Sequence, residues 1–335
     1  MKKIAINGFG RIGRAAFKIA LQHQDELEVV AINDLFPTKT LAYLLKYDSV
    51  YGTYEKEVQA TENAIVVAGK SYSVFAEKEP NKLPWGKLGV DTVIESTGIF
   101  RTEETMRLHL QAGAKQVILS APPKNEGSSG GISTCVLGVT DITADKNPLK
   151  SCASCTTNSI APAVQVIHEA LGIKKAILTT IHGYTADQSL VDGPHKDLRR
   201  GRAAAINIVP TSTGAALATA QVIPDLQGKF DGLALRVPVP VGSISDVTML
   251  VSKKTTVAEV NQILKNAAAS ARYQGIIGVT DEPLVSTDIH RTAYSGIIDL
   301  ALTKVIDGDL VKIMSWYDNE WGYTNRLVEL VIKSS

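Results

Sequence analysis

The stretch Gly8-Phe9-Gly10-Arg11-Ile12-Gly13 (GFGRIG) decides the fold class of this chain. It follows a β-rich run, KKIAIN, and opens a helical pattern, RIGRAAFKIALQ. In a G-x-G-x-x-G arrangement the first glycine allows a tight turn, the second lets the backbone approach a pyrophosphate, and the third allows close contact between helix and strand. The helix N-terminus then faces the phosphates. The stretch therefore predicts a dinucleotide site in a strand–helix unit.

Asp34 closes the next β-rich run, LEVVAIND, roughly 20 positions beyond the last glycine of the motif. A carboxylate at this place would accept hydrogen bonds from the adenosine ribose hydroxyls and repel a 2′-phosphate, which favours NAD over NADP. A turn-forming Asn-Asp pair is the alternative explanation. Ser96-Thr97-Gly98 and Ser120-Ala121-Pro122 follow later β-rich runs at the same expected sheet edge, either as ligand-binding loops or as ordinary loops.

Roughly the first 150 residues alternate short β-rich runs with helical patterns, which predicts crossover units and a mostly parallel, buried sheet. One helix is expected to begin after Thr102, a predicted N-cap, and to end before Gly113. Residues 64–77, AIVVAGKSYSVFAE, predict a hairpin that turns at Gly69-Lys70. The expected fold of residues 1–154 is a Rossmann-type, doubly wound α/β domain that binds NAD.

The pattern changes after residue 172, where longer β-rich runs such as GLALRVPVP and SISDVTMLVSKK follow one another. Asp307-Gly308 between two such runs is a strong hairpin signal. Residues 155–318 are therefore expected to form an α+β domain with a mainly antiparallel sheet. The final segment, residues 319–335, has a helical pattern and is expected to pack back on the first domain.

Composition argues against several classes of function. Lysine and arginine number 35 and aspartate and glutamate 34, so no bulk positive field would attract nucleic acid or an anionic membrane. No apolar run approaches the ~18 residues of a membrane span, and glycine and arginine interrupt the start before a signal peptide could form. The 3 cysteines are too few for a secreted disulfide framework. The sequence thus predicts a cytoplasmic protein that acts on small molecules.

The segment SCASCTTN (151–158) contains C-x-x-C and leads into a helical pattern that ends at or just before Gly172. A cysteine at a helix N-terminus has its thiolate stabilised by the dipole and by free backbone N–H groups, so a lowered pKa is expected for Cys155. The 6 histidines show no H-x₃₋₅-H spacing, which argues against a metal site. A thioredoxin-like redox pair and a buried structural thiol remain open alternatives.

A cysteine nucleophile needs a base, and His182 lies on the β-rich run that follows the helix. In a helix-then-strand unit the start of the helix and the end of the strand can face each other, which would place the imidazole beside the sulfur. A satisfied core histidine is the other interpretation.

Taken together, these residues resemble the phosphorylating glyceraldehyde-3-phosphate dehydrogenase family. The resemblance runs over essentially the whole chain in the family's order, and ASCTTN with the late WYDNEWGY segment is highly specific. The matching segments are INGFGRIGR (6–14), AINDL (31–35), ESTG (95–98), ASCTTN (153–158), TTIHGYTADQ (179–188), PTSTGAA (210–216), LRVP (235–238) and SWYDNEWGYTNR (315–326).

The resemblance implies a cysteine-dependent aldehyde oxidation. The Cys155 thiolate would attack the aldehyde carbon, and His182 would activate the thiol and then accept the hydroxyl proton as hydride leaves for the nicotinamide. Inorganic phosphate would cleave the resulting thioester and give 1,3-bisphosphoglycerate. Thr185 and Arg236 match the family's pocket for the substrate C3 phosphate. The pocket for the attacking phosphate is matched by Ser154, Thr156, Arg200, Thr213 and Gly214.

The resemblance also implies NAD as the cofactor and a homotetramer. Asn319 matches the residue that orients the nicotinamide amide, Tyr323 matches the ring beside it, and Gly193-Pro194 resembles NAD-using members. The family positions around the dinucleotide are matched by Gly8, Gly10, Arg11, Ile12, Gly13, Asp34, Lys78 and Ser120.

The chain departs from the family's pattern in four places. Cys152 stands where asparagine is common, and Ser159 where a second cysteine is common; Cys152 is expected to be a small buried residue, with an oxidative Cys152–Cys155 disulfide as the alternative. Residues 124–134 form a longer loop than the family's. Residues 239–247 replace an asparagine-containing stretch near the substrate pocket, so a relative that oxidises erythrose 4-phosphate remains an alternative. A catalytically silent scaffold protein is another.

Overall fold

The computed structural model describes residues 1–124 and 131–334, so most of the predicted long loop at 124–134 lies outside the described residues. The chain divides into two compact units. The first comprises Met1–Cys135, Asp141–Ala153 and Leu327–Ser335, and the second comprises Val136–Thr140 and Ser154–Arg326.

The first unit is built on a nine-stranded sheet with helices along its connections. Its strands are β1 (Lys2–Asn7), β2 (Leu27–Asn33), β3 (Tyr47–Asp48), β4 (Gly52–Thr53), β5 (Val58–Ala60), β6 (Ala64–Val67), β7 (Lys70–Phe75), β8 (Thr92–Glu95), β9 (Gln116–Leu119), β10 (Ser133–Thr134) and β11 (Leu149–Ser151), of which β3 and β4 form a separate pair. Its helices are α1 (Arg11–Ala20), α2 (Thr38–Lys46), α3 (Trp85–Leu88) and α4 (Glu103–Gln111).

The strand order β10-β11-β9-β8-β1-β2-β7-β6-β5 confirms the predicted doubly wound sheet. The pairs β5–β6 and β6–β7 are antiparallel, and the other pairs of this sheet are parallel. From β1 the chain winds outward through β2 and β7, then returns to β8 on the other side and winds outward again. The order therefore reverses between β1 and β8, and ligands of open α/β sheets bind outside the carboxyl ends of strands at such a switch point.

Local chemistry explains the boundaries of α4. The Thr102 side chain accepts a hydrogen bond from Thr105 N, and the Thr105 side chain accepts one from the Thr102 backbone, which forms a capping box. Gly113 follows the helix with φ +100°, and a Cβ there would lie 2.6 Å from Gly86 Cα. The predicted start at Thr102 and end before Gly113 are both confirmed.

The predicted hairpin over 64–77 is present, but its turn was placed one residue too late. Val67 pairs with Lys70, so the turn residues are Ala68 and Gly69 and Lys70 already belongs to β7. Ala68 has φ +48° and Gly69 has φ +81°, as the two central residues of a type I′ turn require. Alanine rarely adopts this conformation, which is why the sequence did not indicate it.

The second unit has an eight-stranded sheet that is mainly antiparallel, as predicted. Its strands are β12 (Ile173–Gly183), β13 (Val209–Ser212), β14 (Phe230–Val237), β15 (Ser243–Val251), β16 (Ile277–Thr280), β17 (Gly296–Asp299), β18 (Lys304–Ile306) and β19 (Leu310–Tyr317). Its helices are α5 (Cys155–Leu171), α6 (Ala215–Val222) and α7 (Val257–Ala269); the last helix, α8 (Trp321–Lys333), runs from this unit into the segment assigned to the first.

The order β13-β14-β12-β15-β19-β17-β16 contains two parallel pairs, β12–β14 and β16–β17. The predicted hairpin at Asp307-Gly308 joins β18 to β19, and both residues have positive φ, +47° and +73°. Helix α5 contacts β15 and β19 on one face of the sheet. No helix in the described ranges has both the length and the apolar character needed to cross a membrane.

Candidate functional site

The glycine-rich turn joins β1 to α1 at the carboxyl edge of the first unit's sheet. Gly8 has φ +90°, and a Cβ there would lie 2.7 Å from Thr97 N. A Cβ on Gly13 would lie 2.1 Å from Gly8 O. Gly10 differs, since no described atom beyond its own chain neighbours lies within 4 Å of its Cβ position. The fold itself requires Gly8 and Gly13, whereas Gly10 leaves open space that a ligand can approach.

The residues around this turn fit a dinucleotide. Helix α1 begins at Arg11, directly after Gly10, which has no side chain to cap it, so the positive end of the helix dipole can face a pyrophosphate. Asp34 Oδ2 accepts from Phe9 N at 2.7 Å, and Oδ1 accepts from Phe36 N at 3.1 Å. The Asp34 carboxylate is partly exposed and keeps acceptor capacity for ribose hydroxyls, which donate.

The other predicted cofactor residues of this unit lie along the same sheet edge. Ile12 is partly exposed in the first turn of α1, and Arg11 forms an ion pair with Asp48 at 3.0 Å. Lys78 is exposed beyond β7, and Ser120 directly follows β9, where its N–H donates to Glu95 O at 2.9 Å. The structure thus places them along the carboxyl edge of this sheet, while their contacts with a cofactor remain predictions.

A buried polar network beneath this edge was missed by the sequence analysis. Asn33 Nδ2 donates to Asn7 Oδ1 at 2.7 Å, and Asn7 Nδ2 donates to Glu95 Oε2 at 2.6 Å. His109 Nε2 lies 3.1 Å from the same carboxylate oxygen, and Thr97 N donates to Oε1 at 2.8 Å. Asn7, Asn33 and Glu95 each end an apolar strand, and that position was the available signal. The network ties together the loops that surround the nucleotide site.

In the second unit, the start of α5 meets the end of β12. Cys155 is the first residue of α5, behind the N-cap Ser154, whose Oγ accepts from Thr157 N at 3.0 Å. His182 is the last residue but one of β12. Cys155 Sγ lies 3.4 Å from His182 Nε2. The structure therefore contains the juxtaposition of thiol and imidazole that the sequence predicted; their catalytic roles remain predictions.

The imidazole of His182 is oriented through its other nitrogen. Nδ1 lies 2.6 Å from Gly183 O, a carbonyl oxygen that only accepts, and 2.9 Å from Arg236 Nη1, a guanidinium nitrogen that only donates, so the two contacts favour opposite tautomers. Arg236 Nη1 lies 2.9 Å from Nδ1 and has two acceptors of its own, Gly183 O and Thr185 Oγ1, both at 3.1 Å. The tautomer with its proton on Nδ1, which donates to Gly183 O, leaves the lone pair of His182 Nε2 facing the thiol, and a base role requires this form.

The electrostatics of this pair correct one expectation. Burial, assisted by the Arg236 cation, lowers the pKa of His182 to about 3. Burial also raises the pKa of the Cys155 thiol, and Arg236 is the largest opposing influence. The lowered thiol pKa expected from the helix N-terminus is therefore wrong for the resting site, because desolvation of the thiolate outweighs the helix and the guanidinium. The resting pair is a neutral thiol beside a neutral imidazole.

A layer of hydroxyl groups lies beneath the thiol and the imidazole. Tyr317 OH lies 2.8 Å from Thr156 Oγ1 and 2.7 Å from Thr180 Oγ1, and Ser245 Oγ donates to Thr180 Oγ1 at 3.2 Å. The Tyr317 ring packs edge-on against His182, with centroids 5.9 Å apart. Thr156 is buried and directed at Tyr317, so its predicted part in phosphate binding stays a prediction. Tyr317 is not among the site residues predicted from sequence, although it lies inside the SWYDNEWGY segment.

The predicted C3-phosphate residues lie beside His182. Arg236 on β14 is the register partner of His182 on β12, and its Nη1 reaches Thr185 Oγ1. Arg236 Nε is buried and has no hydrogen-bond partner within residues 1–124 and 131–334. The guanidinium thus keeps a donor uncommitted, as a site for an anion requires.

The predicted residues for the attacking phosphate are only partly brought together. Arg200 Nη2 reaches Ser212 O at 3.5 Å, next to Thr213, whose Oγ1 accepts from Ala215 N at 3.2 Å. Gly214 precedes α6. Ser154 and Thr156 lie at the start of α5, and the structure records no hydrogen bond from them to Arg200 in the described part of the chain. Arg200 is held instead by carboxylates, among them Asp187.

Asn319 is tied to the same region by the unusual segment 239–247. Its Oδ1 accepts from Gly242 N and from Ser243 Oγ, both at 3.0 Å, and Gly183 N donates to Ser243 Oγ at 3.2 Å. The segment that replaces the usual asparagine-containing stretch therefore orients Asn319. Tyr323 is buried in the first turn of α8.

The remaining cysteines lie in the interior. Cys152 is 2% exposed, which confirms the expected small buried residue, and Cys135 is 3% exposed. Within the described residues, which include all three cysteines, there is no disulfide. Those residues also contain no group of three or more histidine, cysteine, aspartate or glutamate side chains able to hold a metal ion.

Comparison with known proteins gives a consistent result along the chain. The family model described as glyceraldehyde 3-phosphate dehydrogenase, NAD binding domain, matches residues 2–103, and the model described as the C-terminal domain matches residues 154–319. The glyceraldehyde-3-phosphate dehydrogenase of Thermotoga maritima is 57% identical over 99% of this chain and 100% of its own. Those of Geobacillus stearothermophilus (52%; 98% of this chain, 96% of its own) and Borreliella burgdorferi (50%; 99% of each) are similar to it as well.

Proposed function

The chain belongs to the glyceraldehyde-3-phosphate dehydrogenase family, and from this premise we propose that it oxidises D-glyceraldehyde 3-phosphate with NAD and inorganic phosphate to 1,3-bisphosphoglycerate, a step of glycolysis and gluconeogenesis. The observation that carries the proposal is the 3.4 Å approach of His182 Nε2 to Cys155 Sγ at the start of a helix. A nucleophile with a base in hydrogen-bond reach, oriented by a third group, is what covalent catalysis needs.

The catalytic cycle begins with a proton transfer. His182 Nε2 accepts the thiol proton, and the Cys155 sulfur forms a bond to the aldehyde carbon while the carbonyl electron pair moves to oxygen. The proton returns from His182 to that oxygen and gives a hemithioacetal. In the oxidation, His182 accepts the hydroxyl proton as the carbon loses its hydride and becomes a thioester. NAD, when bound, supplies the hydride acceptor.

Phosphate then completes the turnover. An oxygen of inorganic phosphate bonds to the thioester carbon, and the C–S bond breaks to return the electron pair to Cys155. His182 returns its proton to that sulfur, and the proton of hydrogen phosphate leaves to water. The Arg200 guanidinium and the hydroxyls of Ser154, Thr156 and Thr213, with Gly214, would receive this attacking phosphate. Thr185 and Arg236 would hold the C3 phosphate of the substrate, since guanidinium groups and hydroxyls match phosphate oxygens.

The cofactor assignment rests on the first unit. The α1 N-terminus and the open space at Gly10 suit a pyrophosphate, and the Asp34 carboxylate suits the ribose hydroxyls of NAD and repels a 2′-phosphate. Arg11, Ile12, Lys78 and Ser120 would line this site, and Asn319 and Tyr323 would receive the nicotinamide. The proposal takes residues 1–154 as the NAD-binding domain, with the 319–335 helix against it, and 155–318 as the catalytic domain.

Assembly and location complete the proposal. We expect a cytoplasmic homotetramer that binds no nucleic acid, in line with a net charge of +1. A groove on the second unit is lined by Ile177, Leu217 and Leu310, which are 61%, 56% and 37% exposed. Exposed apolar side chains grouped in this way suit a contact with another subunit.

The experiment is to follow NADH absorbance with glyceraldehyde 3-phosphate and NAD, with and without inorganic phosphate, in the wild type and in Cys155→Ser. Phosphate-dependent turnover that is lost in Cys155→Ser supports the thioester route. Turnover that persists without phosphate indicates hydrolysis of the acyl enzyme and contradicts the phosphorylating reaction. A higher kcat/KM for erythrose 4-phosphate would reassign the substrate, and no turnover on either aldehyde would favour a scaffold.

A further inference from the structure

Asp187 lies between two of the groups proposed to bind phosphate. Its Oδ2 forms an ion pair with Arg200 Nη1, and its Oδ1 accepts a hydrogen bond from Thr185 Oγ1. Thr185 Oγ1 in turn accepts from Arg236 Nη1 at 3.1 Å. One carboxylate therefore links the guanidinium assigned to the attacking phosphate to the hydroxyl and guanidinium assigned to the C3 phosphate.

The Asp187 carboxylate lies where a bound anion would lie. It takes donors from a guanidinium and from a hydroxyl, the same contacts that phosphate oxygens would take. Burial opposes ionisation of Asp187, but the hydrogen bond from Thr185 and the Arg200 and Arg236 cations together hold its pKa below the usual range, so the group is ionised. An ionised Asp187 and a phosphate dianion cannot both lie against Arg200 without like-charge repulsion.

The pair between Asp187 and Arg200 is open to exchange. The Asp187 side chain is 44% exposed and that of Arg200 is 22% exposed, so water reaches both groups. Ion pairs of this kind stabilise a fold by little. A ligand with two charges and several acceptor oxygens can therefore displace the carboxylate.

The second carboxylate near Arg200 has a different role. Asp197 Oδ1 accepts from Arg199 N at 2.9 Å and from Arg200 N at 3.4 Å, and Asp197 Oδ2 accepts from Thr211 Oγ1 at 2.9 Å. These backbone and side-chain bonds fix the loop before β13. Asp187 makes no such backbone bond among the described residues, and both of its side-chain donors are proposed phosphate ligands.

We propose that Asp187 is a specificity-determining residue: an internal anion that occupies Arg200 and Thr185 until the phosphate of a reactant displaces it. This inference rests on the proposed function, since it concerns the phosphate groups of the same site. The Asp187 carboxylate makes the affinity for phosphate lower than the two arginines alone would give. It also assists the release of a phosphorylated product, because it returns to Arg200 as the product leaves.

The test compares Asp187→Asn and Asp187→Ser with Asp192→Asn in the full-length chain. Asp192→Asn is a matched control because it also removes one negative charge from the connection between β12 and β13. The Asp192 carboxylate pairs with Arg202 there at 2.9 Å. Calorimetric titration with inorganic phosphate, without aldehyde or NAD, measures the Kd. We expect both Asp187 variants to bind phosphate about fivefold more tightly, as removal of a partly exposed competing ion pair predicts, and Asp192→Asn to bind it as the wild type does.

Kinetics separate this role from a structural one. We expect the KM for inorganic phosphate to fall by about fivefold in the Asp187 variants while kcat changes by less than about twofold. A residue that merely orients Arg200 would raise both the Kd and the KM when removed. An unchanged or raised Kd, or failure of both variants to fold, overturns the proposal. Because the titration needs no turnover, a wild type without phosphate-dependent NADH formation counts against the proposed function alone.

Discussion

Cys155 Sγ lies 3.4 Å from His182 Nε2, although 27 positions separate the two residues along the chain. Helix α5 runs from the thiol to Leu171, and β12 returns directly to the same end, so one helix–strand unit brings both groups together. In the tautomer whose Nδ1–H donates to Gly183 O, Nε2 is the proton acceptor. This arrangement makes the imidazole a base for the thiol, which the raised thiol pKa requires.

Replacing His182 by asparagine should therefore lower kcat by about 10²–10⁴-fold, since the proton acceptor of both proposed transfers is lost. The rate at which iodoacetamide, a neutral reagent, alkylates Cys155 near neutral pH should fall as well, because the thiol must then ionise unaided. The measurements are NADH formation and mass-detected alkylation. His23→Asn, which replaces a partly exposed histidine in the loop after α1, is the control and should leave both rates unchanged. Equal alkylation rates in wild type and His182→Asn would contradict a base role for His182.

The same histidine should make the stability of the fold depend on pH. Its folded pKa of about 3 lies below the ~6.5 of an unperturbed histidine, so between these values the unfolded chain binds more protons. The free energy of unfolding should therefore be unaffected by His182 above about pH 6.5 and should fall below it, by about 1.4 kcal/mol per pH unit.

Urea denaturation at about pH 7.5 and about pH 5 would measure this loss, which should approach 2 kcal/mol in the wild type from His182 alone. His182→Asn should lack this contribution, so the two proteins should differ in how much stability they lose on acidification. Parallel losses in both would show that His182 takes up its proton without cost in the folded protein.

The features predicted from sequence were those that depend on short stretches of chain. The glycine spacing, Asp34, the Thr102 cap and the Cys155–His182 unit each lie within one or two consecutive elements, where periodicity and capping chemistry apply. The turn at Ala68-Gly69 escaped because its alanine adopts a conformation that alanine rarely does.

The features missed depend on register between distant strands. Tyr317 reaches Thr156 and Thr180 because β19 pairs with β15 and β15 with β12, and no local pattern fixes that alignment. The predicted direction of the Cys155 pKa shift was wrong for a related reason. The sequence showed that Cys155 begins a helix, but it did not show how far the thiol is buried. The sequence indicated which residue types carry the chemistry. The burial of the thiol and the contacts between distant strands became visible only in the three-dimensional structure.

Asp34→Asn should reduce the discrimination between NAD and NADP. The amide oxygen can still accept from Phe9 N, which keeps the glycine-rich turn anchored, while the charge that repels a 2′-phosphate is removed. The ratio of kcat/KM for NAD to that for NADP should fall by about tenfold, mainly through a lower KM for NADP. Asp48→Asn, which removes a charge that pairs with Arg11 instead, is the comparison variant. If Asp34→Asn keeps the wild-type ratio, another residue reads the ribose.

Alanine substitutions at Gly13 and at Gly10 should lower the free energy of unfolding by different amounts. Gly13→Ala places a Cβ 2.1 Å from Gly8 O, a backbone atom that cannot move aside, so the free energy of unfolding should fall by about 3 kcal/mol. Gly10 has φ −70° and open space at its Cβ position, so Gly10→Ala should cost only about 1 kcal/mol, as expected for alanine at an N-cap.

NAD binding should respond differently to Gly10→Ala. A methyl group at this position faces the place where the pyrophosphate would approach the backbone at the start of α1, so the Kd for NAD should rise at least about tenfold while the fold persists. Urea denaturation and a calorimetric NAD titration on the same preparations measure the two effects, and Gly69→Ala, in the distant hairpin turn, shows what a glycine change without a cofactor role does. If Gly10→Ala binds NAD with wild-type affinity, the pyrophosphate does not approach the backbone at Gly10 and lies elsewhere along the sheet edge.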